Sequence, residues 1–169
     1  MENNCSNLVR KEFKLRVIDE SFNRIRICLE RLNDENLNYS PDKVIPSVGN
    51  QVRHICGNIR QWMLASLGQE EDMRDRDSEF EERKSEIAEL VVLLDILESD
   101  LNSLMDEMDD RMIYKEYHIQ GFNLTGFSAI VHVIEHCSYH TGQITLLTKL
   151  ITSKETGYYS NRDLNLRNS

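Results

Sequence analysis

Apolar side chains recur at helical spacing through most of this 169-residue chain. Between residues 7 and 36 they fall at Val9, Phe13, Val17, Phe22, Ile25, Leu29 and Leu32, with Arg, Lys and Glu between them, which predicts one amphipathic helix. The stretch NLNYSPDKVIPSVGN holds both prolines and reads as a loop, with Ser47 as the N-cap of a second helix over 48–67. Gly68 is expected as the residue after that helix's C-cap. A charged connection, GQEEDMRDRDSEFEERKSE, merges into a third helix marked by Ile87, Leu90, Val91, Leu94, Leu97, Leu101, Leu104, Met105 and Met108. The linker from Asp109 to Asn123 reads as irregular or briefly extended, and a fourth helix runs from near Thr125 to about Ser153. The tail, KETGYYSNRDLNLRNS, is expected to form a short turn or to cap one end. About three heptads in the third helix are too few for a free coiled coil, so the pattern predicts an all-α four-helix bundle, one domain over residues 1–169.

The second helix is unusual in that Arg53 and Arg60 are its only charges. Beside the apolar side of Val52, Ile55, Ile59, Trp62 and Met63 runs a polar but uncharged stripe of Ser47, Gln51, His54, Asn58 and Gln61. Such a stripe next to a core face suits the lining of a partly hydrated pocket as well as it suits a mildly polar surface.

Charge is distributed unevenly along the chain. The net charge is −9, and residues 70–110 hold 17 acidic and 4 basic side chains. That excess argues against a nucleic-acid partner, which needs clustered Lys and Arg. No run of 18 apolar residues is present, so no membrane span is expected. Cys5, Cys28, Cys56 and Cys137 form no CxxC pair, and MENNCSNLVRKEF lacks the apolar core of an export signal. The expectation is reduced thiols and a cytoplasmic location, with Cys56 and Cys137 as small buried hydrophobes.

The candidate chemistry lies in HVIEHCSYHTGQITLLTKLI, where His132, His136 and His140 are four residues apart. Residues so spaced share a helix face with β-carbons about 5–6 Å apart, so two imidazoles can meet one divalent cation. Past His140 the register continues to Ile144, Leu147 and Ile151, and Glu135 is the only charge between Ala129 and Thr148, so the histidines are expected to look inward. A plain bundle of buried, hydrogen-bonded histidines is the alternative. Zinc enzymes usually take three protein ligands, and the other helical histidine is His54, since His118 falls in the linker. Spacing alone does not choose between His132 with His136 and His136 with His140.

With RHICGNIRQWM, RDRDSEF and above all HVIEHCSYHTGQI, the chain resembles the DinB-like superfamily of metal-dependent enzymes, in its branch of small uncharacterised bacterial proteins. The resemblance implies a four-helix bundle, often dimeric, with a three-histidine site for zinc or nickel. By motif position the ligands fall on His54, His136 and His140, which leaves His132 to orient them or to pack. Gln143 and Asn58 are then candidates for orienting an imidazole or touching a bound ligand, Tyr139 is a candidate acid, and Gly142 is expected to let another backbone approach. Characterised relatives of that superfamily include thiol-dependent S-transferases and a mycothiol-dependent isomerase.

Three functional readings follow. The first is a metal-dependent S-transferase using a low-molecular-weight thiol and a small-molecule substrate; the second is a metal-dependent hydrolase; the third is a non-catalytic metal-binding stress-response module. The histidine helix carries no carboxylate placed as a general base, because Glu135 points about 100° away, and this suits a thiol better than water.

Overall fold

The computed structural model describes residues 5–81 and 84–167. The first helix, α1, runs without a break through Cys5–Phe13, Lys14–Phe22 and Asn23–Leu29, and its middle segment takes the wider π winding. That winding explains the five-residue step from Val17 to Phe22, since a ladder reaching five residues back absorbs the extra residue and keeps both side chains in the core. The helix ends before the expected residue 36. Arg31 and Leu32 turn back onto the carbonyls of Cys28 and Leu29, both at 3.1 Å. Asn33 then breaks to extended backbone and caps the short helix α2, Asp34–Leu37, its side chain accepting from Asn36 N.

Helix α3 covers Val48–Ile59 and continues as a π segment, Arg60–Leu67, with Ser47 capping it as expected. Gly68 is not the left-handed residue that closes it. Its φ is −74°, and Gln69 takes the positive value of 60°. The π winding shifts the closing bond, so that Gly68 N reaches Met63 O at 2.9 Å.

A 3₁₀ turn at Asp77–Glu79 precedes α4, Ile87–Glu107. The linker is more ordered than its sequence suggests. It holds helix α5, Asp110–Tyr114, and an antiparallel hairpin of β1, Glu116–Ile119, and β2, Phe122–Thr125. The turn between the strands puts Gln120 and Gly121 at φ 50° and 84°, the signature of a type I′ hairpin. Thr125 then caps α6, Gly126–Thr152, and Ser153 ends it in the left-handed conformation.

Helices α4 and α6 each pack against both α1 and α3, which sets them at opposite corners of a four-helix bundle. Phe13, Phe22, Ile55, Ile59, Leu94, Leu97, Ile130 and Val133 fill the space between them. Each such side chain contributes about 1.5–3 kcal/mol of burial. All four cysteines are free, and Cys28, Cys56 and Cys137 are buried. No described helix is long and apolar enough to cross a membrane.

Candidate metal centre

The seam between α3 and α6 is where the polar stripe of one helix meets the histidines of the other. The buried face of α6 is Ile130, Val133, Cys137, Thr141 and Ile144. His132, His136 and His140 flank that face and are half-buried, one position away from the centre of the core. His54, about two turns after the Ser47 cap, is buried on α3 and meets two of them. His54 Nε2 lies 3.2 Å from His136 Nε2, and the ring centroids of His54 and His140 are 4.8 Å apart. One ring nitrogen from each of His54, His136 and His140 falls within a 4.8 Å cluster. Among the described residues no other group of three or more His, Cys, Asp or Glu is so arranged.

Hydrogen bonds at the far side of two of these rings fix which nitrogen faces the cluster. His54 Nδ1 donates to Glu79 Oε2 at 2.8 Å, leaving the Nε2 lone pair free. His140 Nδ1 donates to Gln51 Oε1 at 3.1 Å, which frees its Nε2 in the same way. His136 Nδ1 is buried and has no hydrogen-bond partner. Burial, and then the neighbouring His140 and His54, push the pKa of His136 down to about 3. Burial and His54 lower that of His140 to about 4, against the nearby Gln143 side chain, which works the other way. His54 and His140 thus turn Nε2 to the cluster, and burial keeps His136 and His140 in the neutral state that ligation requires, so the donor set fits a divalent cation.

Glu79 is the partner that sequence reasoning did not single out. Burial would raise its pKa, but hydrogen bonds from His54 and Arg74 outweigh that and hold it below the usual carboxylate range. Arg74 grips it with two bonds, Nε to Oε1 at 2.7 Å and Nη2 to Oε2 at 2.9 Å. The Phe80 ring lies 4.8 Å from that of His54. Gln51 was legible only as a member of the uncharged stripe.

The remaining candidates sort by their contacts. His132 stacks on Trp62 with centroids 3.8 Å apart, and its Nε2 is buried without a partner; it stands beside the cluster rather than in it. Gln143 is half-buried near His140, whose pKa it works to raise. Asn58 is buried one turn beyond His54, with its Oδ1 unsatisfied. Tyr139 is exposed, its ring edge-on to His140 at 5.0 Å. Gly142 does not serve a close approach, because a β-carbon there would meet nothing within 4 Å. His118 is on the hairpin, bonded to Asn123 and apart from the cluster.

Residues 8–160 match the family model described as protein of unknown function (DUF1572). The chain belongs to that family. Solved structures place this DUF1572 chain among DinB-like folds. A conserved protein from Enterococcus faecalis aligns over 89% of this chain and 99% of its own, with a TM-score of 0.72 at 15% identity. A DinB-like protein from Bacillus cereus gives a TM-score of 0.65 at 18% identity, over 80% of this chain and 89% of its own. A DinB-like protein from Bacillus subtilis gives 0.65 at 15% identity, over 88% and 94%. No curated protein matches the chain. At such identities the likeness is one of fold, and the chemistry of this family member rests on its own histidines.

Proposed function

We propose that the chain is a metal-dependent enzyme that holds one zinc or nickel ion through Nε2 of His54, His136 and His140 and transfers a low-molecular-weight thiol to an electrophilic small molecule. The observation that carries this reading is the three-nitrogen cluster, with no Cys, Asp or Glu joining it among the described residues. Structural zinc sites close with a fourth side chain, usually Cys, whereas catalytic sites keep one position open. The nearest cysteines by sequence, Cys56 and Cys137, are buried, and burial first of all pushes the pKa of Cys137 up to about 11 and that of Cys56 further still. Both are therefore inert thiols rather than ligands.

A divalent cation bound there supplies Lewis acidity that favours a thiolate, or a hydroxide, at neutral pH. The chain's own residues do the rest. His54 and His140 are held by Glu79 and Gln51 with Nε2 turned to the cluster, and burial keeps His136 and His140 neutral. The carboxylate closest to the site, Glu79, is consumed by His54 and Arg74, so it is not free to deprotonate water. That favours transfer over hydrolysis, since a thiol needs no strong base. In the transfer step the thiol proton leaves to solvent, sulfur forms a bond to carbon, and the leaving group departs with its electron pair.

The test is a panel of bacillithiol, glutathione and coenzyme A with an alkyl halide or epoxide, run on zinc- and nickel-loaded protein, with products read by mass spectrometry. A thioether formed by the wild type and not by His140→Ala is the expected result. Turnover of esters or amides with no thioether would replace this reading with hydrolysis.

A further inference from the structure

The segment from Asp72 to Phe80 reaches onto α3 through several separate contacts, and all of them converge beside His54. Glu79 accepts from His54 Nδ1 at 2.8 Å. Arg74 holds that carboxylate by both oxygens and spends its remaining arm on Gln61 Oε1 at 2.9 Å. The two side chains of this ion pair are only 4% and 7% exposed, so neither charge has water to fall back on. Asn50 fastens the backbone of the segment, its Nδ2 donating to Glu79 O at 2.9 Å.

Gly57, one turn after His54, is the seat on which this pair rests. A β-carbon at Gly57 would collide with Glu79 Oε1 and lie 2.9 Å from its Cδ and 3.3 Å from Arg74 Nε. Those atoms are the buried functional ends of a tethered pair, so they have little room to yield. A helix glycine is costly without a reason, and the crossing carboxylate is the reason here.

We infer that Glu79, gripped by Arg74 and seated on Gly57, is a positioning residue that fixes His54 as the Nδ1–H tautomer, so that docking of the Asp72–Phe80 segment and preparation of the metal site are one event. The inference rests on the metal-site reading above for its purpose, but the tautomer it assigns exists in the metal-free protein. A carboxylate on the far nitrogen of a ligating imidazole sets the ring's orientation and basicity, and removing such a partner typically weakens metal binding about 10–100-fold. A β-carbon at Gly57 presses on the Glu79–Arg74 pair without removing either charge, which separates positioning from a general loss of charge.

The test compares Glu79→Ala, Glu79→Gln and Gly57→Ala with Glu81→Ala, which removes an exposed neighbouring carboxylate. Ring ¹⁵N shifts of His54 are read in the metal-free protein, and zinc affinity by chelator competition. The wild type and Glu81→Ala should show the Nδ1–H form. Glu79→Ala and Gly57→Ala should show mixed tautomers and bind zinc about 10–100-fold more weakly. Glu79→Gln, which keeps an acceptor oxygen, should fall between. If folded Glu79→Ala and Gly57→Ala keep both the wild-type tautomer and the wild-type zinc affinity, the inference is overturned. If the tautomers change as stated but the wild type binds no zinc, positioning stands and the metal reading fails.

Discussion

Two helical glycines, Gly57 and Gly142, have opposite surroundings and therefore opposite predicted responses to the same substitution. Gly142 sits on the exposed side of α6 with open space where a β-carbon would be. There Gly142→Ala relieves a helix of its most flexible residue and should stabilise the fold by about 0.5–1 kcal/mol, read as a higher urea midpoint. Gly57→Ala should do the reverse, because its new methyl displaces a buried ion pair. At this scale the sequence was partly readable. His54, His136 and His140 were legible from spacing and family pattern, since residues on successive helical turns must share a face. Glu79 was not. It is one of 17 acids in a 41-residue stretch, and although it lies in the RDRDSEF segment that carries part of the resemblance, periodicity does not say which of those acids turns inward. A further signal was Gly57, a costly helix glycine one turn past a candidate ligand.

At the scale of elements, the seam of α3 and α6 makes a prediction about pH. Burial, followed by mutual repulsion, depresses the pKa values of His136 and His140 to about 3 and about 4, from 6.5. Between those values and 6.5 the unfolded chain binds more protons than the folded one, so stability rises with pH across that window. Their contribution is complete above pH 6.5 and is lost as pH falls through about 4 and then about 3. The urea midpoint of metal-free protein should therefore drop between pH 7 and pH 4.5, and less so in His136→Ala; equal slopes for both proteins would contradict the assignment. Element boundaries were read well where caps are local, as at Ser47 and Thr125. They were read poorly where winding changes. The five-residue step from Val17 to Phe22 was the visible trace of π winding, and the Gln-Gly pair at 120–121 was the visible trace of the hairpin. Neither is a strong signal, because Gln seldom takes positive φ. Gln120 does so while its side chain accepts from Trp62 Nε1 and donates to Gln61.

For the whole molecule, the four-helix architecture followed from long apolar periodicities, because only mutual burial satisfies four amphipathic faces. What periodicity could not provide was which helices are neighbours. That α3 and α6 share a seam was implied by the family resemblance, which put His54 in one site with His136 and His140, and the structure sets the uncharged stripe and the histidines against each other. The central claim is that this seam holds one divalent cation through histidines from both helices. Elemental analysis of untagged protein, purified without added metal, tests it most directly when run beside His54→Ala and His140→Ala. The expected result is about one zinc or nickel ion per chain in the wild type and none in either variant. A metal-free wild type, or full metal retention by His54→Ala, would contradict it.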